Sequence, residues 1–159
     1  MSRIELHGSR KNDKIYADPG YAYILYGYLG NDRLYGAEFD DWLDGGEKND
    51  KLYGDAGHDT FVGGPGNDQI FGGDGFDTVF FSGSSNQYDI QEKSKQGSPY
   101  YIVKPKGEYK NELNDGNNKV YESEMLVFAD QQMNLVGTAP PPPNRIPVPP
   151  PPEPAPEIP

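Results

Sequence analysis

A nine-residue period runs through the first half of the chain and constrains its fold more than any other feature. With one extra residue, Ala17, after the first frame, frames open at Gly8, Asp18, Gly27, Gly36, Gly45, Gly54, Gly63 and Gly72. The eighth position is apolar in every frame: Ile15, Leu25, Leu34, Leu43, Leu52, Phe61, Ile70 and Val79. The sixth is Asp13, Asp32, Asp41, Asp50, Asp59, Asp68 or Asp77, with Tyr23 standing in the second frame. A fixed period of this kind marks a repeat architecture, in which each unit buries its apolar residue by stacking on its neighbours. Alternate frames carry Asn12-Asp13, Asn31-Asp32, Asn49-Asp50 and Asn67-Asp68 before the apolar position, and the others do not. The structural repeat is therefore about 18 residues with two similar halves, which predicts a two-sheet parallel solenoid.

Composition narrows the partners. The chain has no cysteine, so no disulfide framework holds it, and Gly 20 with Pro 16 in 159 residues argues against a helical bundle. A formal net charge of -11 repels a nucleic-acid backbone and favours cations as partners. The sequence contains neither an apolar run long enough for a membrane span nor a basic and then apolar N-terminal signal. His7 and His58 are the only histidines, and the sequence has no HExxH or Gly-x-Ser-x-Gly motif. His58 reads as a variable turn residue, and carboxylates at one regular phase suit a cation better than acid–base work. The chain reads as a non-enzyme, or as a non-catalytic module of a secreted enzyme.

Four segments follow from the pattern: a starter strand over 1–7 carrying Ile4 and Leu6, the repeat region over 8–89, a cap over 90–136 and a Pro-rich tail over 137–159. In the cap, Tyr100–Val103 and Met125–Phe128 flank the turn-rich Asn114–Asn118, which reads as a β meander. Residues Pro140–Pro159 hold 12 of the 16 prolines and can form neither sheet nor helix. The tail reads as a solvated polyproline II spacer to a fused domain, or as a ligand for a proline-recognising partner.

The frames Gly63–Phe71 (GGPGNDQIF) and Gly72–Phe80 (GGDGFDTVF) resemble the calcium-binding nonapeptide of RTX proteins. Glu124, Leu126, Phe128, Ala129 and Asp130 in SEMLVFAD resemble the segment that closes such repeats. The resemblance implies an all-β, right-handed parallel β-roll of about 18 residues per coil, capped by a small C-terminal β meander. It also implies about four to six Ca2+ ions, held between turns one coil apart by early-turn carbonyls and the sixth-position carboxylate. The implied metal residues are Gly45, Asp50, Gly54, Asp59, Gly63, Gly64, Gly66, Asp68, Gly72, Gly73, Gly75 and Asp77, with Asp13, Asp32 and Asp41. The implied pairs are Asp13 with Asp32, Asp32 with Asp50, Asp50 with Asp68, Asp41 with Asp59, and Asp59 with Asp77. A weak ninth frame, Phe81–Asp89, would add Asp68 with Asn86. Lys11, Phe39 and Lys48 stand at the fourth position of their frames, where the motif carries glycine, so the early sites depart furthest from it. Stacked carboxylates at like phase repel without a cation, so metal binding becomes folding. Secretion by a type I route into calcium-rich surroundings is the localisation that the resemblance implies.

The seventh and ninth positions flank the inward eighth and face solvent. One side presents Lys14 and Tyr16, Arg33 and Tyr35, Lys51 and Tyr53, and Gln69 and Phe71, a basic ladder beside an aromatic one. Aromatic faces stack on sugar rings and cations pair with carboxylates, which makes an acidic polysaccharide a reasonable ligand. The same residues also suit a purely structural spacer that assists folding and export of a fused partner, through β propensity and solvation. The other side, with Trp42, Thr60, Val62, Thr78 and Phe80, carries little charge and is expected to lie beneath the cap.

Overall fold

A computed structural model describes residues 3–135. The apolar residue of each frame sits on a short strand, and the strands run in chain order as β1 (Ile4–His7), β2 (Lys14–Tyr16), β3 (Tyr23–Tyr26), β4 (Arg33–Tyr35), β5 (Trp42–Asp44), β6 (Lys51–Gly57), β7 (Thr60–Val62), β8 (Gln69–Gly75) and β9 (Thr78–Phe80). After them come β10 (Tyr88–Lys95), β11 (Ser98–Pro105), the single helical turn α1 (Lys110–Leu113), β12 (Asn118–Tyr121), β13 (Met125–Val127) and β14 (Gln132–Asn134). Successive strands alternate between two seven-stranded sheets. One has the order β1-β3-β5-β7-β9-β13-β14, the other β10-β11-β12-β8-β6-β4-β2. The result is an all-β solenoid of coils about 18 residues long, as the period requires.

Register follows the frames. Leu25 pairs with Leu43, Leu43 with Phe61, Phe61 with Val79 and Val79 with Leu126 in the first sheet. Leu34, Leu52, Ile70 and Val120 form the matching row in the second. Both rows are fully buried and face each other as one core. Each coil adds its apolar residue to that core and its strand edge to the next coil, so neither sheet has an exposed apolar edge inside the stack.

The cap departs from the expected arrangement in two ways. The antiparallel meander is β10-β11-β12, and Met125–Val127 belongs instead to the opposite sheet, parallel to β9. Strands β12 and β13 are therefore a further, degenerate coil, with Lys119 beside Gln69 and Val127 beside Phe80. The β10–β11 hairpin is an excursion between two coils, because its strands extend the second sheet sideways. On the outer face of the first sheet Trp42, Thr60 and Thr78 are buried and Val62 and Phe80 half-buried. The Pro-rich tail lies outside the described residues.

Candidate metal centre

Each turn brings together groups that frames spaced by a coil would stack. The backbone N–H of one sixth-position residue donates to Oδ1 of the aspartate one coil on: Asp13 to Asp32 at 2.7 Å, Asp32 to Asp50 at 2.7 Å and Asp50 to Asp68 at 2.9 Å. On the other side Asp41 donates to Asp59 at 2.8 Å and Asp59 to Asp77 at 2.9 Å. All five implied pairs are thus adjacent. Tyr23 N–H donates likewise to Asp41, while the Tyr23 ring turns into the core.

The second carboxylate oxygens fall into two groups. Oδ2 of Asp32, Asp50, Asp59, Asp68 and Asp77 is buried with no hydrogen-bond partner. Asp13 Oδ2 instead accepts from Ser9 N–H and its hydroxyl, and Asp41 Oδ2 accepts from Ala37 N–H. An orphaned, ionised carboxylate oxygen in a buried site is costly unless a cation or donor meets it.

Where those oxygens point is set by the first glycine of each frame. A Cβ placed on Gly45 would lie 2.6 Å from Asp50 Oδ2 and 2.8 Å from the Gly63 carbonyl oxygen. Gly36 has the same surroundings, with Asp41 Oδ2 at 2.7 Å and the Gly54 carbonyl at 2.6 Å. At Gly54 the neighbours are Asp59 and Gly72, and at Gly63 the neighbour is Asp68 Oδ2 at 2.6 Å. Carboxylate and carbonyl oxygens therefore converge on space that exists because the first residue has no side chain. Among the described residues no three acidic or histidine side chains cluster to hold a metal. A cation here would draw most of its shell from backbone carbonyls, as hard, oxygen-seeking calcium does in curved loops.

The second-position glycines Gly46, Gly64 and Gly73 take φ of 89°, 84° and 112°. The same left-handed turn persists where glycine is missing, at Tyr28 (φ 71°) and Asp55 (φ 70°), and Lys48 keeps a positive φ of 84° at the fourth position. Stacking overrides the local cost that the missing glycines imply.

Electrostatics agree with the geometry. Burial, and secondarily the like charges one coil away, push the carboxyls of Asp50 and Asp59 up to about 8. Burial lifts Asp68 and Asp77 to about 7, and the like charges of Asp115 and Glu124 respectively add to the rise. Asp32 and Asp41 are raised for the same first reason.

The degenerate coil terminates both ladders. Asp68 N–H donates to Asn118 Oδ1 at 2.8 Å, so Asn118 takes the place expected of Asn86. Asp77 N–H donates to Glu124 Oε2 at 2.8 Å. These terminators were hidden by the hairpin excursion, yet a signal existed: Gly116-Asn117-Asn118-Lys119-Val120-Tyr121 repeats Gly30-Asn31-Asp32-Arg33-Leu34-Tyr35 with Asn for Asp. Replacing Asn118 by alanine leaves the buried Asp68 N–H without an acceptor and is expected to cost about 1–3 kcal/mol in urea unfolding of the calcium-loaded chain.

The outer ladder is longer than the sequence suggested. Tyr16, Tyr35, Tyr53, Phe71, Tyr121 and Tyr100 form one continuous stack, with centroids 4.5, 4.8, 4.8, 4.7 and 4.9 Å apart. The first four of these contacts are within 7° of parallel, so the inner rings spend their faces on one another and present edges to solvent. Lys14, Arg33, Lys51 and, beyond Gln69, Lys119 form the adjoining row in register. None of these four cations has an ion-pair partner among the described residues.

Stacked coils with a buried acidic rung at six successive turns, from Asp32 to Asp77, define a nonapeptide-repeat β-solenoid. A family model for the RTX calcium-binding nonapeptide repeat (4 copies) matches residues 24–43, 35–70 and 44–79, and residues 24–79 accordingly form an RTX repeat module. No curated protein matches the chain. The module is a non-catalytic, calcium-binding β-roll.

Proposed function

We propose that this β-roll works outside the cell as a calcium-dependent folding module, kept unfolded where calcium is scarce and stiffened where it is abundant. The observation that carries the reading is the row of five orphaned carboxylate oxygens, on Asp32, Asp50, Asp59, Asp68 and Asp77, each buried at one phase of the repeat. The ligands would be those carboxylates together with carbonyls of Gly45, Gly54, Gly63 and Gly72 and their turns. Calcium supplies the positive charge that turns a repelling ladder into a set of cross-links between coils. Export by a type I route and help in folding a fused partner belong to the same reading, since a chain of this kind travels unfolded and sets on arrival. Calorimetric titration of chelator-treated chain is expected to show uptake of about five ions, coincident with the appearance of β-sheet in circular dichroism. A sheet that forms in full with no uptake would overturn the proposal.

A second reading, capture of an acidic polysaccharide, is favoured by the row Lys14, Arg33, Lys51 and Lys119, which has no ion-pair partner among the described residues. Because the inner rings are stacked on each other, the contact is ionic along that row with ring edges beside it. Stacking on a sugar is left to the outer face of Tyr16, which is 58% exposed at the end of the ladder. Changing Lys14→Gln, Arg33→Gln and Lys51→Gln together is expected to weaken binding of a polyuronate about tenfold at low salt. Equal binding by the variant, or none by the parent, leaves the structural reading alone standing.

A further inference from the structure

One rung of the ladders lacks an oxygen that the others share. A Cβ placed on Gly8, Gly36, Gly45 or Gly54 would meet a carbonyl oxygen of the next coil at 2.5 to 2.8 Å, and Gly27 and Gly72 have such a neighbour closer still. At Gly63 the atoms nearest that point, out to 3.3 Å, all belong to Asp68. The residue five before Asn118, where the next coil would bring its first carbonyl, is Leu113, which ends the helical turn α1. In place of that carbonyl the turn borders a cavity of about 40 Å³, lined by Gly63, Gly64, Phe81, Ser82, Asp115 and Asn118 among others. That is room for a water-sized guest.

Two buried carboxylates meet there. Asp68 is 1% exposed, and its Oδ2, which has no hydrogen-bond partner, stands 2.6 Å from the Cβ position of Gly63 on the cavity wall. Asp115 is 6% exposed, has no ion-pair partner among the described residues, and acts on Asp68 as a like charge. Hydroxyls hold it in place: Ser82 Oγ donates to Oδ1 at 3.0 Å, and the Tyr88 hydroxyl donates to Oδ2. Neutral donors orient a carboxylate but leave its charge, and two such charges at one small polar cavity are costly unless a cation joins them. We infer that this cavity is a divalent-cation site outside the repeat, in which the Asp115 carboxylate stands in for the missing carbonyl and binds calcium together with Asp68 Oδ2. The inference rests on the calcium reading of the ladders and adds to it a ligand that no nonapeptide supplies. Asn118 has lost the charge of a rung, and Asp115, three residues earlier, returns one to the same turn. Through Ser82 and Tyr88, the first residue of β10, the ion ties the last repeat both to the sealing coil and to the base of the β10–β11 hairpin.

Calorimetric calcium titration of the full chain and of its Asp115→Asn variant tests the site. The amide keeps the side-chain shape and an acceptor oxygen, so the variant should hold the parent's circular dichroism in calcium while taking up one ion fewer. Tyr88→Phe removes a hydroxyl and no charge, and it should keep the parent's count. With Tb3+ in place of calcium, the same Tyr88→Phe change should lower the tyrosine-sensitised emission, because Tyr88 touches the carboxylate that holds the ion. That readout stands even where Asp115→Asn fails to fold. Equal counts in parent and Asp115→Asn, or undiminished emission from Tyr88→Phe, would overturn this site alone and leave the ladder sites intact. No uptake by the parent would overturn both.

Discussion

Chelating calcium from the folded chain at neutral pH is expected to convert its β-sheet circular dichroism to that of a coil, reversibly and in one cooperative step. The carboxyl of Asp50 is raised from 3.8 to about 8 by burial and by its neighbours one coil away. Keeping it protonated at pH 7, while an unfolded chain ionises freely, costs about 4 kcal/mol. Asp59 adds a similar penalty from the same causes. Domains of this size hold only about 5–15 kcal/mol in total, so these two rungs consume much of it before Asp68 and Asp77 are counted. The sign is that of a raised folded-state pKa: the metal-free fold keeps its stability below pH 4 and loses it as pH climbs through 8. Chelated chain should therefore hold more sheet at pH 4.5 than at pH 8, whereas calcium-loaded chain should show the opposite trend. A metal-free chain that keeps full sheet at pH 8 would mean that the buried carboxyls do not destabilise the empty fold.

The second large effect is steric. Gly64 has φ +84°, and a Cβ added there would run into the carbonyl group of Gly46 one coil away. Gly97, in the β10–β11 turn, has a similar φ of +92° but nothing within 4 Å of such a Cβ. Gly97→Ala isolates the backbone cost, about 1–2 kcal/mol. Gly64→Ala carries that cost and also forces two coils apart at the oxygens that converge between them, so a loss of several kcal/mol and of about one bound ion is expected. Urea midpoints and ion counts on the two calcium-loaded variants measure the difference. Equal losses would show that coil spacing at Gly64 has slack.

Sequence reading reached the parts of the molecule that repeat. The eighth-position residues Leu34, Leu52 and Ile70 could be assigned to the core because their spacing leaves no alternative, and Asp50 over Asp68 follows from the same arithmetic. What escaped were features that depend on neighbours rather than on period. Asn118 and Glu124 end the ladders from positions that the hairpin excursion had pushed out of frame. The row Tyr16, Tyr35, Tyr53 looked like a set of open ring faces, but strand spacing lets adjacent rings close on one another. Met125–Phe128 read as part of a meander, and Met125–Val127 turned out to continue the first sheet beside β9.

The distances along the chain between bonded rungs have a kinetic side. Repeat rungs join residues 18 apart, while Asn118 meets Asp68 across 50 residues and Glu124 meets Asp77 across 47. Closing the longer loop costs about 0.9 kcal/mol more in chain entropy, before the ordering of the hairpin inside it. Local coils can therefore zip by nearest-neighbour steps, and the sealing coil joins them as a separate, later and slower event. Until it does, the last repeats present an open, strand-hungry end to any other chain in the same state, so the interval before sealing is when the molecule is most exposed to mispairing.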